Sequence, residues 1–242
     1  MKNYLDSKLS TIVSENFKAA EILEENNIDF CCGGDKTLNE ACKEQNISSK
    51  DMNDQLEMIM TARDSETEFI KNLDPSELCD YITKRHHSFV RENIPVLKKY
   101  LYKISDVHGA NHPELHEVKN EFFDAADALS KHMEDEENIL FPVVNEMVQA
   151  KKDGQNIEAP CFGMLKNPIN QMLDEHKNEG DRFDKLAEKT NNFKVPSDGC
   201  KTYEITYKHL RDFITDLHKH IHLENNILFP ESIKLEKEVI KR

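Results

Sequence analysis

His132-Met-Glu-Asp-Glu-Glu-Asn-Ile-Leu-Phe-Pro142 decides the fold, because nearly the same stretch recurs 88 residues later (220 minus 132) as His220-Ile-His-Leu-Glu-Asn-Asn-Ile-Leu-Phe-Pro230. Each copy places a histidine four residues before a glutamate, so that on a helix both side chains lie on the same face. Another histidine precedes each copy, His87 by 45 residues and His176 by 44. The pattern predicts two related helix pairs that close on one centre.

Four long amphipathic segments carry these residues. The first begins at Asp74-Pro-Ser-Glu77, a strong helix start, and is predicted to run to about Ile104 with a kink near Pro95. The other three cover, approximately, residues 112–143, 168–190 and 210–227. Their apolar residues recur every three or four positions, and the chain has only 7 Gly, 8 Pro and no Trp. We therefore predict an all-α chain whose main part is an antiparallel four-helix bundle.

A small helical domain is predicted ahead of the bundle. The expected division is a domain at 1–62, a linker at 63–73 and the bundle at 74–242. Within the small domain, Ser14 and Thr37 are expected helix N-caps, the latter in a capping box with Glu40. The turn Asp29–Asp35 is expected to separate the first two helices, and Ser48 to begin a third.

Composition limits the cellular setting and the partners. The formal net charge of -14 argues against nucleic acid or an anionic membrane as the main partner. No stretch has the apolar length of a signal peptide or a membrane span. Six cysteines in 242 residues are too few for a disulfide scaffold, so they are expected to be thiols in a cytoplasmic protein.

Six histidines and glutamates occupy positions where a helix bundle places its core. The predicted metal ligands are His87, His132, Glu136, His176, His220 and Glu224. Buried glutamates are costly unless they are paired or bound to a metal ion. The helix register favours His87 over His86, whereas His218 and His222 are expected at the surface.

The ligand types indicate a pair of metal ions. Two carboxylates can each bridge two ions, and four imidazoles divide two per ion, which leaves room for an oxo or hydroxo bridge and an open position on each ion. Mixed imidazole and carboxylate ligands suit iron, although manganese and zinc also fit. The order His-x-x-x-Glu is the reverse of the Glu-x-x-His of ferritin-type sites. It points instead to a haemerythrin type of centre.

Cys31 and Cys32 form a second candidate site, in a turn followed by two glycines. Such a thiol pair could be reactive, bind iron transiently or pass iron to an acceptor. Two small thiols packed in a turn without a function are the alternative.

The chain resembles the iron–sulfur cluster repair di-iron proteins over nearly all of its length. The motifs that carry the resemblance are Ile28-Asp-Phe-Cys-Cys-Gly-Gly34, Val107-His-Gly-Ala-Asn-His-Pro113 and the two His-x-x-x-Glu copies with their Leu-Phe-Pro. The resemblance implies a haemerythrin-like bundle with two non-haem iron ions, held by the six residues above, with Glu136 and Glu224 as bridges. It also implies a cytoplasmic, often dimeric protein, and it places Glu175 near the site and Cys31-Cys32 on the family's cysteine pair.

Three functions are compatible with this site. The first is repair of iron–sulfur clusters damaged by nitric oxide or peroxide, by donating iron to apo or damaged proteins. The second is an enzyme that reduces NO to nitrous oxide at the di-iron centre. The third is a reversible O2 or NO sensor or carrier, which the additional thiol pair disfavours. The sequence assigns no catalytic residue and does not separate the first two.

Overall fold

The computed structural model describes residues 2–240, and within that range the chain is helical without a β-strand. The helices are α1 (Leu9–Glu15), α2 (Ala19–Glu25), α3 (Leu38–Glu44), α4 (Ser49–Met60), α5 (Ser65–Ile70), α6 (Pro75–Ile82), α7 (Ser88–His108), α8 (Glu114–Asp135), α9 (Phe141–Asp153), α10 (Lys166–Lys189), α11 (Lys201–Leu223) and α12 (Phe229–Val239). Three π-helical turns interrupt them: π1 (Thr83–His87), π2 (Glu136–Leu140) and π3 (Glu224–Leu228). The all-α prediction is confirmed.

The chain divides into two compact units. The first comprises the chain up to Cys79, the segment Met147–Glu158 and the chain from Lys219 onward. The second comprises Asp80–Glu146 and Ala159–His218. None of the helices in the described range has the length and apolar character that crossing a membrane requires.

The second unit contains the predicted four-helix bundle. Helix α8 packs against both α7 and α10. The ring of Phe213 in α11 lies 6.4 Å from Phe89, 5.5 Å from Phe122 and 6.0 Å from Phe183, measured between ring centroids. These three rings come from α7, α8 and α10. All four helices therefore meet in one aromatic core, as the amphipathic pattern predicts.

The three π turns were not foreseen from the sequence. Two of them, π2 and π3, lie just before Pro142 and Pro230. A proline donates no backbone N–H and its ring collides with the carbonyl group four residues earlier, so a regular α-helical turn is unfavourable there. A wider π turn accommodates each proline. Helix α7, in contrast, continues through Pro95 and ends at His108, four residues beyond the expected end.

The first unit contains the small helical domain, with one correct and one wrong N-cap prediction. Thr37 begins α3 with a complete capping box: its Oγ1 accepts a hydrogen bond from the Glu40 N–H, and its own N–H donates to the Glu40 carboxylate. Ser14 caps nothing, since it lies inside α1. The expectation fails because a separate short helix, α1, already precedes α2.

The extra helix shifts the numbering of the elements that follow it. The turn Asp29–Asp35 lies between α2 and α3 and not between the first two helices, and Ser48 caps α4 and not a third helix. The predicted linker contains helix α5, which Asp64 begins by accepting a hydrogen bond from the Thr67 N–H. The boundaries 1–62, 63–73 and 74–242 stay predictions.

Candidate metal centre

The π turns place three of the predicted ligands. His87 is the last residue of π1, Glu136 the first of π2 and Glu224 the first of π3, and all three side chains have no exposed surface. Single π turns within α-helices are frequent at functional sites, because the wider turn changes the direction in which side chains project. The local backbone thus marks the same residues as the repeated motif.

Glu136 lies at the middle of the donor groups in the second unit. Its Oε2 lies 3.4 Å from Nε2 of His87, and its Oε1 lies 3.4 Å from Nε2 of His132. His132 Nε2 in turn lies 2.8 Å from Nε2 of His176. One carboxylate therefore faces imidazoles on two sides, which is the arrangement expected of a bridging ligand.

Two outer carboxylates orient these imidazoles. Nδ1 of His87 lies 2.6 Å from Oε1 of Glu137, and Nδ1 of His132 lies 2.6 Å from Oε2 of Glu175. When Nδ1–H donates to a carboxylate, the lone pair of the ring is on Nε2, the nitrogen that faces Glu136. Such carboxylate–histidine pairs typically support metal-binding histidines.

Further contacts hold the outer carboxylates in the ionised state. Arg91 donates to both oxygens of Glu137 at 2.9 Å, and Gln171 donates to Glu175 at 2.8 Å. Burial alone would raise the pKa of Glu137, but the hydrogen bonds from Arg91 and His87 outweigh it and lower that pKa. Burial is likewise outweighed at Glu175, whose pKa is lowered by its bonds with His132 and Gln171. Both groups are therefore anionic acceptors at neutral pH.

The first unit contributes the second copy of the motif. Nε2 of His220 lies 2.9 Å from Oε1 of Glu224, and neither side chain is more than 1% exposed. A helical His-x-x-x-Glu pair in this unit thus has the same buried character as His132 and Glu136 in the other.

The donor chemistry suits a cation. Burying carboxylates such as Glu136 and Glu224 is costly unless positive charge offsets theirs. Neutral imidazole Nε2 atoms and carboxylates together form the mixed nitrogen and oxygen donor set that transition-metal ions prefer. The residues present therefore fit a metal centre, and the set contains no thiolate of the kind that structural zinc sites use.

Three of the other histidines differ in their surroundings. His86 is buried, but its Nδ1 is hydrogen-bonded to Oδ2 of Asp216 at 3.0 Å, so it lies outside the donor cluster. His218 is half-buried. The expectation that His222 lies at the surface is wrong: it is 1% exposed, and its ring lies against Phe17 and Phe30. Residues of the N-terminal segment cover that face of the helix, which the periodicity of α11 alone does not reveal.

The cysteine turn lies in the same unit as His222. Cys31 is buried, Cys32 is half-buried, and their sulfur atoms are 3.9 Å apart as free thiols. A hydrogen bond with Cys32 and burial raise the pKa of the Cys31 thiol well above its ordinary value. The carbonyl group of Cys31 accepts hydrogen bonds from the side-chain amides of Asn225 and Asn226 in π3.

Four supporting residues were missed or left without a role by the sequence reasoning. They are Glu137, Glu175, Asn225 and Asn226. For two of them a signal exists in the repeat itself: the position after each motif glutamate is polar in both copies, Glu137 in one and Asn225 in the other.

Two family models match the parts of the chain that contain these two candidate sites. Residues 5–59 match the ScdA_N family, a domain of unknown function (DUF542), and residues 80–232 match the Hemerythrin HHE cation binding domain. The first covers the cysteine turn, and the second covers all six predicted ligands. The second match extends over more than half of the chain.

Relatives match over almost the full length. Iron-sulfur cluster repair protein ScdA of Staphylococcus haemolyticus is 29% identical over 224 residues, 93% of this chain and 96% of the relative. Iron-sulfur cluster repair protein YtfE of Pectobacterium atrosepticum is 32% identical over 231 residues, and that of Musicola paradisiaca is 33% identical over 235, each covering 96% of this chain and 98% of the relative. The chain therefore belongs to the family of iron–sulfur cluster repair proteins that join an ScdA_N domain to a hemerythrin HHE cation-binding domain.

Proposed function

We propose that this protein holds two non-haem iron ions and repairs damaged iron–sulfur clusters in the cytoplasm by donating iron to them. The ligands are the six buried residues of the repeat: His87, His132, Glu136, His176, His220 and Glu224. Glu136 and Glu224, the motif glutamates of the two copies, serve as the bridges. When bound, the iron pair supplies exchangeable ferrous iron and positions that can take up NO, O2 or peroxide.

The position of Glu136 is the observation that carries this proposal. Its two oxygens face His87 and His132 at equal distances of 3.4 Å, and the carboxylate is fully buried. A residue that served only to pair with one histidine would not need to face two. Glu137 and Glu175 keep the outer nitrogens of those histidines occupied, so that both rings present Nε2 inward.

Two observations support the proposal that iron is donated: the names of the relatives and the presence of two free thiols in the second candidate site. The relatives are named as iron–sulfur cluster repair proteins, and the free thiols of Cys31 and Cys32 supply a group that can exchange iron. The partners are apo or damaged iron–sulfur proteins, and the protein acts as a homodimer without nucleic acid or membrane.

The metal assignment is tested by iron analysis and Mössbauer spectroscopy on the wild type and on Glu136→Leu. We expect the wild type to hold two iron ions with a coupled signal, and the variant to lose both. Glu134→Leu is the matched control, because Glu134 is exposed on the same helix. A Glu136→Leu protein that retains the coupled signal would refute the assignment.

The repair activity is tested by incubating the iron-loaded protein with an inactivated cluster enzyme. Recovery should exceed that given by the same amount of free ferrous iron. Recovery no better than free iron, together with nitrous oxide formed from NO under turnover with an electron donor, would establish the reductase in place of repair.

A further inference from the structure

The turn between α2 and α3 brings together three groups that can bind a metal ion. Two are the predicted cysteines, and the third, Asp29, was not predicted from the sequence. Asp29, Cys31 and Cys32 each present a ligand atom within 4.8 Å of the other two. The carboxylate Oδ1 lies 3.3 Å from the sulfur of Cys31, and the two sulfurs are 3.9 Å apart. Asp29 is exposed and Cys32 half-buried, so the cluster is open to solvent on one side.

These separations match the geometry of one tetrahedral ion. A metal–sulfur distance of about 2.3 Å at a tetrahedral angle places two thiolates about 3.8 Å apart. With a metal–oxygen distance of about 2.1 Å, oxygen and sulfur lie about 3.6 Å apart. The turn is thus spaced for two thiolates on one ion.

The backbone of the turn is fixed before any cation binds. Oδ1 of Asp29 accepts hydrogen bonds from the N–H groups of Cys31, at 3.0 Å, and Cys32, at 2.9 Å. On the other side, Asn226 donates its amide to the Cys31 carbonyl group at 3.0 Å and Asn225 does so at 3.3 Å. Both sulfurs therefore need little rearrangement to meet a common ligand.

The cysteine turn packs tightly against π3 in addition to accepting its hydrogen bonds. A Cβ atom at Gly34 would lie 2.8 Å from Oδ1 of Asn226 and 2.8 Å from the carbonyl oxygen of Phe30. Only glycine allows this approach. The turn therefore packs against the asparagine side chains that follow Glu224 in π3.

We propose that Asp29, Cys31 and Cys32 form a separate binding site for one thiophilic divalent cation, Fe²⁺ in the cell, with a fourth coordination position open to solvent. Binding replaces the two thiol protons, which go to solvent. This inference rests on the proposed function and deepens it, because it supplies the place where iron is held between the buried centre and an acceptor protein. The open position is where an acceptor's thiolate would bind.

Cobalt binding to the iron-loaded full-length protein tests the site. Adding one equivalent of Co²⁺ without oxygen should produce thiolate-to-cobalt charge-transfer absorption and the strong ligand-field bands of tetrahedral Co²⁺. Cys31→Ser and Cys32→Ser should each remove most of this signal. Cys161→Ser and Cys200→Ser, which alter the two exposed thiols elsewhere, should leave it unchanged.

Asp29→Asn is the decisive variant because its effect is separable from folding. The amide oxygen of asparagine can still accept both backbone hydrogen bonds, whereas the anionic ligand is lost. We expect Co²⁺ affinity to fall at least tenfold with an unchanged circular dichroism spectrum. Wild-type affinity in Asp29→Asn, or a thiolate signal that survives in both cysteine variants, would overturn the site.

Failure of the site and failure of the proposed function give different results. If the wild type binds Co²⁺ through the cysteines but restores no cluster enzyme, the repair proposal is refuted and the site is retained. If it restores the enzyme but shows no thiolate-to-cobalt signal, the site is refuted and repair is retained.

Discussion

The residue after each motif glutamate has a different partner in the two copies. Glu137 accepts a hydrogen bond from His87 and forms an ion pair with Arg91. It thereby orients His87, a predicted metal ligand. Asn225, at the equivalent position, donates to the carbonyl group of Cys31. One copy of the repeat thus supports the imidazole shell of the centre, and the other supports the thiol turn. The exchange of a carboxylate for an amide accounts for the difference, because only the amide can donate.

Glu137→Gln should weaken iron binding by about 10- to 100-fold, the usual effect of losing such a supporting carboxylate. Glutamine is neutral, so it neither stabilises the His87 Nδ1–H bond to the same degree nor pairs with Arg91. Competition between the iron-loaded protein and a chelator measures the change. Glu134→Gln, an exposed change three residues earlier, should bind iron normally, and equal affinity in the two variants would contradict the role of Glu137.

Cys200 should be the fastest exposed thiol to react with iodoacetamide at neutral pH. A hydrogen bond from His108 and the backbone N–H groups of Tyr203 and Thr202 favour its thiolate and lower its pKa to about 7. Its alkylation rate should therefore rise with pH and reach half its maximum near pH 7. In His108→Ala the midpoint should move up toward about 8.5, the value of an ordinary thiol. Peptide mass spectrometry measures the alkylation of Cys200 and, for comparison, of Cys161. A midpoint that does not move in His108→Ala would show that His108 is not the cause of the lowered pKa.

At the scale of elements, the π turns explain why Leu-Phe-Pro follows both motif copies. Pro142 and Pro230 each disfavour a regular α-helical turn just before them, and the wider turn begins in each case at the motif glutamate. Each proline and the predicted metal ligand before it are thus linked through backbone geometry. In π3 the same widened turn also carries the two asparagines that hold the cysteine turn.

Gly34→Ala should destabilise the protein by about 1–3 kcal/mol, the usual cost of overpacking a tight contact. The new methyl group would collide with the Asn226 side chain and with the Phe30 carbonyl group. Urea unfolding measures the loss. Adding Asn226→Ala should recover part of the cost but not all, since the Phe30 contact is backbone. Strict additivity of the two changes would show that Gly34 and Asn226 do not interact.

At the scale of the whole molecule, each unit carries one copy of the repeated His-x-x-x-Glu motif. The first unit carries His220 and Glu224, and the second carries His132 and Glu136. Because iron would bind the folded arrangement of the proposed ligands and not the unfolded chain, iron binding and folding are expected to be thermodynamically linked.

Iron loading should raise the unfolding free energy of the wild type by about 2.7 kcal/mol when free iron is 100 times its Kd. Both proteins are compared in a Cys32→Ser background, which removes the proposed site at the cysteine turn, and there Glu136→Leu should gain nothing from iron because it lacks the predicted bridge. Denaturant unfolding with and without iron gives both values. Glu134→Leu is expected to respond as the wild type does, and an iron response in Glu136→Leu would contradict the linkage.

Much of the fold follows from periodicity, and the missing parts have physical reasons. The three- and four-residue spacing identifies the bundle and puts His87, not His86, beside Glu136. It does not foresee that His222 is buried, because a helical register shows which side a residue faces but not what covers that side. Nor does it identify Asp29 as a neighbour of both thiols, since that depends on how a short turn closes.

The two hydrogen bonds that the side-chain amides of Asn225 and Asn226 donate to the Cys31 carbonyl group bear on cooperativity between the two candidate sites. Glu224 directly precedes the two asparagines whose side chains hold the cysteine turn, so a shift of π3 on cation binding at either place would be felt at the other. Thermodynamic reciprocity then requires that if iron at the buried centre changes the Co²⁺ affinity of the cysteine turn by some factor, Co²⁺ at the turn changes the iron affinity of the centre by the same factor. If a cation at the turn lowers the iron affinity of the centre, filling the turn promotes release of iron from the centre. If it raises that affinity, filling the turn keeps iron in the centre.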